Sequence, residues 1–372
     1  MIKQFIKKEP VLVCAWVAAI ISSFIVPPNL GYIEYIDFRT LSLLFCLMAV
    51  TCALKELNIF KMAGVKLLSK VKTSVQLELI LIMLCFFSSM LITNDVSLIT
   101  FVPFAIGTLK MANLEDRVTF VVVMQTIAAN LGSIVTPIGN PQNIYIFTKY
   151  SVPISDFFMA MLPYGAMSFL LIILFVVFRK NTPLNSLNTD NSTKITNKKM
   201  VVFYFVLFLL SVLSVGRVIS VKVVFIIIVL SLLIFNKKLF KDIDYSLLIT
   251  FTGFFIFIGN IGKISSFQSF ISSFISGNEI LTAVLSSQIM SNVPSALLLS
   301  GFTDKWMELL IGVNIGGLGT LIASMASLIS YKFAAEFMPN KKSYYLKIFT
   351  ILNLVFLLFL SLLCVFLRAV LY

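Results

Sequence analysis

The sequence contains no histidine. That absence removes Ser-His-Asp triads, His-ligated metals and imidazole proton relays together. Charge is scarce as well: Asp, Glu, Lys and Arg make up 12% of the 372 residues, about half the share found in a soluble domain. The five cysteines lie singly in apolar stretches with no CxxC pair, so they read as small buried hydrophobes. No GxxxxGK[ST] loop is present, and direct ATP drive is not encoded in this chain. The same inventory argues against an intramembrane enzyme, because a lone carboxylate has neither a histidine nor a GxSxG serine beside it.

What remains is apolar. Hydrophobic residues make up 59% of the chain, more than a soluble globule of this size can keep from water. The fold class is therefore an all-α polytopic membrane protein, solvated by lipid. Spanning segments are expected at 10–27, 38–55, 118–150, 156–178, 200–215, 217–235, 244–262, 306–337 and 345–371. Two further stretches, 77–109 and 279–303, are interrupted midway by polar residues and read as re-entrant hairpins, giving about nine crossings plus two hairpins. The run 10–27 ends in Pro27-Pro28 rather than at a small-residue cleavage site, so it is expected to stay as the first helix.

The net charge of +13 follows membrane topology, not nucleic acid. Place the N-terminus inside and the C-terminus outside an inner (cytoplasmic) membrane. Of the 29 basic residues, only Arg39, Lys149, Arg217, Lys222, Lys263, Lys305 and Arg368 then fall outside. The rest, from Lys3, Lys7 and Lys8 through to Lys347, face the cytoplasm, as the positive-inside rule asks. The segment 58–74 alternates apolar and Lys positions at helical spacing, so it is expected to lie in the inner interface. Glu56, Glu78, Glu308 and Glu336, near segment ends, read as solvated charge.

A polar stretch, 179–199, reads as a cytoplasmic linker with no apolar pattern to order it. It divides the chain into a first repeat, 1–178 (hairpin 77–109, broken helix 118–150), and a second part, 200–372. That second part holds an extra helix (200–215), a hairpin (279–303) and a broken helix (306–337). The halves resemble each other: TLSLLFCLMAV (40–50) aligns with DYSLLITFTGF (244–254), and ITNDVSLITFVPF (92–104) with MSNVPSALLLSGF (290–302). The clearest match sets ANLGSIVTPIGNPQN (129–143) against VNIGGLGTLIASMAS (313–327), pairing Asn130 with Asn314, Gly132 with Gly316, Thr136 with Thr320 and Asn140 with Ser324. The extra helix makes the number of crossings between the copies odd, so the second enters upside down. Each inverted repeat thus carries a re-entrant hairpin and a broken helix, the plan of a secondary transporter.

Irregular backbone at membrane depth survives only where it lines a cavity or coordinates something. Gly132, Pro137, Gly139 and Pro141 in one half, and Gly316, Gly317 and Gly319 in the other, would interrupt helices there. An interruption exposes carbonyls able to ligate Na⁺ and helix N-termini that favour an anion. The tips Thr93-Asn94-Asp95 and Ser291-Asn292 add hydroxyl and amide groups at the same depth. Asp95 is a proton carrier, a fixed cation ligand or a helix cap; an ionisable residue this deep is by default functional.

These tips and the TPIGNPQN break resemble the ion-transporter superfamily, which includes divalent-anion/sodium symporters, citrate transporters, arsenite efflux pumps and some sodium/proton antiporters. In the symporters each tip carries Ser-Asn-Thr. Thr93-Asn94-Asp95 and Ser291-Asn292-Val293 stand in those places here, with the third residue changed in both. The resemblance implies two Na⁺ sites flanking a solute. The candidate ion places are near Asn94, Asp95 and Gly132 and near Asn292 and Gly316, and the repeat-paired Asn130, Thr136, Asn140, Asn314, Thr320 and Ser324 are candidates for binding solute or ion. It also implies a homodimer. The function expected is ion-coupled transport of a small anionic solute by alternating access, driven by Na⁺ or H⁺ with no other cofactor. The alternative is cation/proton antiport or arsenite-type metalloid efflux, with Asp95 as the coupling carboxylate.

Overall fold

Two aspartates start two central helices in the same way. Asp37 accepts from the Thr40 amide at 2.9 Å and from the Thr40 hydroxyl, capping the helix Phe38–Glu56. Asp244 accepts from the Leu247 amide at 3.1 Å and caps Tyr245–Ile261. Each cap satisfies an amide that the first helical turn leaves open, worth about 1 kcal/mol. Both aspartates sit at φ −77° and ψ 84°, inside the matching triplets Ile36-Asp37-Phe38 and Ile243-Asp244-Tyr245. The caps therefore pair Asp37 with Asp244, whereas the sequence alignment pairs Thr40 with Asp244. Apolar residues run on through both segments, so hydrophobicity left that register loose.

The structure is a computed structural model that describes residues 9–68, 71–184 and 197–371. Lys3, Lys7, Lys8 and residues 185–196 of the linker lie outside it. Among the described residues all regular structure is helical except one isolated bridge, Thr73 to Pro183. Four helices are long and apolar enough to cross a membrane alone: Phe38–Glu56, Ile154–Val177, Lys198–Val215 and Pro339–Val370. Shorter apolar helices include Pro10–Ile25, Val221–Phe235 and Tyr245–Ile261. Large apolar side chains such as Phe24, Met159 and Phe178 point outward, which suits lipid and would aggregate in water. The chain is a multi-pass, all-α membrane protein.

The interrupted stretches are helix pairs. The first hairpin is Ser74–Ser89 followed by Asn94–Met111, and the second is Glu279–Met290 followed by Asn292–Leu299. The first broken helix is Val118–Ser133 then Pro141–Lys149; the second is Trp306–Ile315 then Met325–Phe337. Local chemistry accounts for both breaks. Pro137 and Pro141 lack an N–H, and Pro141 opens the new helix at a position where none is needed. Asn140 then caps that helix by accepting from the Asn143 amide at 3.0 Å. The second break has no proline. There Gly319 turns the chain at φ +109°, a conformation that L side chains rarely adopt.

Two expectations change and a third gains a detail. Glu78 is not solvated: it is fully buried and takes Arg117 at 2.6 Å and Arg179 at 2.8 Å. Arg117 also donates to the Lys180 carbonyl at 2.8 Å, and the Arg179 guanidinium lies 3.9 Å from the centre of the Phe120 ring. A buried carboxylate is tolerable when two guanidinium groups pair with it this closely. The start of the linker is ordered, because Ser74 and Thr182 exchange two hydrogen bonds of 2.9 Å and the Leu184 amide donates to Lys72. Finally, the Lys-bearing helix Ile59–Leu68 does not merely float in the interface. Gly64 is buried on the first hairpin, with room for no more than a tight Cβ 3.0 Å from the Phe104 ring.

Candidate functional site

Each hairpin tip is bonded to the break of the broken helix beside it. The Asn94 amide donates to the Gly139 carbonyl at 3.2 Å, and the Asn292 amide donates to the Ala323 carbonyl at 3.0 Å. The Thr136 hydroxyl donates to Met90 at 2.6 Å, and the Thr320 hydroxyl to Gln288 at 3.0 Å. Gly132 lies so close to the first hairpin that a Cβ would collide with the Phe86 carbonyl and sit 2.6 Å from the Ser89 hydroxyl. Gly316 lies against Ser287 in the second hairpin, 2.8 Å from its hydroxyl on the same measure. Thus Gly132 and Gly316, Thr136 and Thr320, and Asn94 and Asn292 make like contacts in their own halves. Small residues here let backbone approach backbone, which is how helices pack closely in lipid.

The two breaks also touch each other. Asn130 Oδ1 accepts from the Ser324 hydroxyl at 3.0 Å and from Asn94 Nδ2 at 3.0 Å. Asn314 Oδ1 accepts from Asn140 Nδ2 at 3.2 Å and from Gln142 Nε2 at 3.3 Å. One contact reads Asn130 to Ser324 and the other Asn314 to Asn140, so each half gives the other what it receives. Asn314 also donates to Asn143 Oδ1 at 2.8 Å, which ties the cluster to the half-helix Pro141–Lys149.

Asn94, Asn130, Gly132, Pro137, Gly139, Asn140, Ser291, Asn292, Asn314, Gly316 and Ser324 are all buried at this centre. Thr93 and Thr136 are half-buried, and Thr320 is exposed. Asp95 occupies the first turn of Asn94–Met111 and is half-buried. Thr93, not Asp95, stands at the capping position, and the Asp95 amide is taken by Asn94 Oδ1 at 3.0 Å. Among the described residues the Asp95 carboxylate has no hydrogen bond or ion pair.

Two amides that sequence reasoning passed over finish the breaks. Asn143 Nδ2 donates to the carbonyls of Ser133, Ile134 and Thr136 at 3.3, 3.4 and 3.0 Å. Gln288 Nε2 donates to Gly316 and Leu318, both at 2.9 Å, while its Oε1 accepts from the Thr320 amide at 2.9 Å. Several of the carbonyls that the sequence offers to Na⁺ are therefore met by the protein's own side chains. Asn143 closes the quoted GNPQN motif and Gln288 is polar within an apolar helix, so both carried a signal. Three other groups in the opening turns of half-helices are buried without a partner: Gln142 Oε1, Ser295 Oγ and Ser327 Oγ.

Hairpins whose tips bond to discontinuous helices, in a chain of outward-facing apolar helices, define the class: a multi-pass membrane transporter. Comparison with known proteins supplies the family. Residues 5–305 match the family described as citrate transporter, and the chain belongs to that family. An uncharacterized transporter of Methanocaldococcus jannaschii is 33% identical over 302 residues, covering 80% of this chain and 82% of the relative. The inner membrane protein YbiR of Escherichia coli is 28% identical over 307 residues, 81% of each chain. A putative transporter arsB of Dictyostelium discoideum is 31% identical over 171 residues, 44% of this chain and 28% of that protein.

Proposed function

We propose that this transporter is an ion-coupled secondary carrier that moves a small anionic solute by alternating access. Its two halves insert in a cell inner membrane as inverted repeats, with the N-terminus inside and the C-terminus outside. The observation that carries the reading is the reciprocal contact of the two breaks, Asn130 with Ser324 and Asn314 with Asn140. A two-fold-related pair of breaks can present one site alternately to either side, because each half serves as the other's counterpart. Four helices begin around this centre, at Asn94, Pro141, Asn292 and Met325. Their N-termini favour negative charge, and the unpartnered hydroxyls of Ser295 and Ser327 are free to donate to it.

A second reading rests on Asp95. An unpaired carboxylate in the first hairpin, matched only by Val293 in the second, suits proton-coupled efflux of a neutral metalloid acid. Proteoliposomes separate the readings when citrate, phosphate and arsenite are offered under a Na⁺ gradient and a pH gradient imposed separately. Gradient-driven, saturable uptake of an anion supports the first reading. Proton-driven movement of arsenite alone supports the second, and flux that ignores both gradients sinks both. Asn94→Ala and Asn292→Ala should each abolish transport in well-folded protein, and wild-type rates in both would remove the site. Lys61→Cys should label only after permeabilisation and Lys263→Cys in intact cells; the reverse pattern overturns the orientation.

A further inference from the structure

A cavity lies at the far end of the half-helix Pro141–Lys149. It has a volume of about 430 Å³ and is lined by Tyr35, Asp37, Arg39, Tyr145, Lys149 and their neighbours. Lys149 Nζ donates to the Ser300 carbonyl at 2.5 Å and to the Ser300 hydroxyl at 2.8 Å. Arg39 donates from Nη2 to the Ser214 carbonyl at 3.3 Å, and its Nε is buried without a partner. Arg217, just beyond Ser214, donates to the carbonyls of Phe147 and Ser151 on either side of Lys149, each at 3.2 Å. Two cations therefore line this cavity, with Arg217 near Arg39 beyond the lining. Among the described residues none of the three has a carboxylate within ion-pair distance, Asp304 and Asp37 acting on Lys149 only from farther off. The lining acid, Asp37, already spends its carboxylate on the Thr40 amide and hydroxyl.

We infer that this cavity is a binding site for a small oxyanion of the carboxylate or phosphate type. Each cation is held by backbone carbonyls, which fix its place without neutralising it, so the charge stays available. The anion would meet the Arg39 fork and Lys149 above a floor of Tyr145 and Phe255. The Lys149 end of this nine-residue helix stands about 13 Å from the end that carries the central amides. An anion bound there is poised one helix length from the centre, on the side opposite the ordered linker start. Its role as an entry vestibule rests on the transport reading above, but its capacity to bind an anion does not.

The test uses the purified full chain in neutral detergent, with thermal unfolding followed in citrate, phosphate or sulfate against chloride at matched ionic strength. At least one of the three oxyanions should raise the wild-type midpoint in a saturable way. Arg39→Gln should weaken that binding about tenfold, the scale of one lost charge-assisted hydrogen bond, and Arg39→Lys should recover part of it. Lys149→Gln should act in the same direction, with Arg39→Gln as the safeguard if loss of the Ser300 contact harms folding. No midpoint shift in wild type, or full binding by Arg39→Gln, overturns the inference. Stabilisation by phosphatidylglycerol with none by the free anions overturns it in favour of a lipid headgroup. Binding lost in Asn314→Ala but kept in Arg39→Gln places the anion at the central amides and leaves the proposed function standing. Binding lost in Arg39→Gln by a protein that transports no anion keeps this inference and removes that function.

Discussion

The two breaks do the same work with different materials. The first, between Ser133 and Pro141, is buried, proline-stiffened and held by Asn143 from its own second half-helix. The second, between Ile315 and Met325, is glycine-rich, partly open at Thr320 and Ile322, and held by Gln288 from the hairpin beside it. Self-held backbone keeps its shape whatever its neighbour does. Backbone held by a neighbour keeps its shape only while the two travel together. Both breaks are bonded to the hairpin beside them, but the second relies on a hairpin side chain to satisfy its carbonyls, whereas the first supplies that side chain itself.

Substitutions at paired positions test that contrast, and the largest effect should come from glycine. Gly132→Ala drives a methyl into the Phe86 carbonyl, which as backbone has little room to yield. It should cost about 3 kcal/mol or more, enough to lose folded protein on size-exclusion chromatography. Gly316→Ala meets mainly the Gly312 carbonyl and the Ser287 side chain, each at 2.8 to 2.9 Å, and should cost about 1–2 kcal/mol. Equal thermal midpoints for the pair would erase the claim that the first break is the tighter one.

Asp95→Asn should come next, with a loss of coupling rather than of fold. No hydrogen bond of the carboxylate is removed, so expression and midpoint should stay near wild type. If protons drive the cycle, the variant should ignore a pH gradient yet still exchange solute in a counterflow assay. Unchanged ion dependence would make Asp95 and Val293 functionally equivalent despite their chemistry.

Graded losses of stability follow at the amides and hydroxyls. Asn143→Ala takes a donor from three carbonyls in a water-poor place, leaving those of Ser133 and Ile134 bare, and breaks the bond from Asn314. It should lower stability by about 3 kcal/mol, read as a fall in the unfolding midpoint. Gln288→Ala orphans two beside an exposed threonine and should cost about half as much. The smallest pair is Thr136→Val, about 1 kcal/mol, against Thr320→Val, close to zero because water can replace the exposed bond. A larger loss at Thr320 would show that the second break is sealed from water.

How much of this was legible depends on how far apart the partners lie. The apolar mass, the polar interruptions at Asn94 and Asn292 and the glycines of both breaks are local signals, and composition and spacing carry them. The pairing of Asn130 with Ser324 was not readable, although both residues stood out, because nothing local says which break faces which. Glu78 looked like surface charge because its partners, Arg117 and Arg179, are remote in the chain and each reads alone as a topological marker. The same blindness covers Lys149 and Arg39, counted only as basic residues on the outside when they line one cavity. Registers drift where hydrophobicity is uniform, and the Asp37 and Asp244 caps were needed to set one.

Ser291, at the tip of the second hairpin, has φ +75° and ψ 154°, while Thr93 at the first tip has a relaxed φ of −59°. That corner of backbone space belongs almost wholly to glycine, and a side chain there costs about 1–3 kcal/mol. The neighbouring bond from the Asn292 amide to Ala323 helps hold the tip in place. Whatever separates that hairpin from its break lets the backbone relax, so the cost of parting is partly refunded within the molecule. If the halves alternate as proposed, Ser291 is a preloaded spring on one arm only, and the two directions of that cycle should run at different speeds. Ser291→Gly removes the load and, at the centre, only the long 3.4 Å bond from the Ser291 hydroxyl to Asn292 Oδ1, and the rates of the two directions should then draw closer.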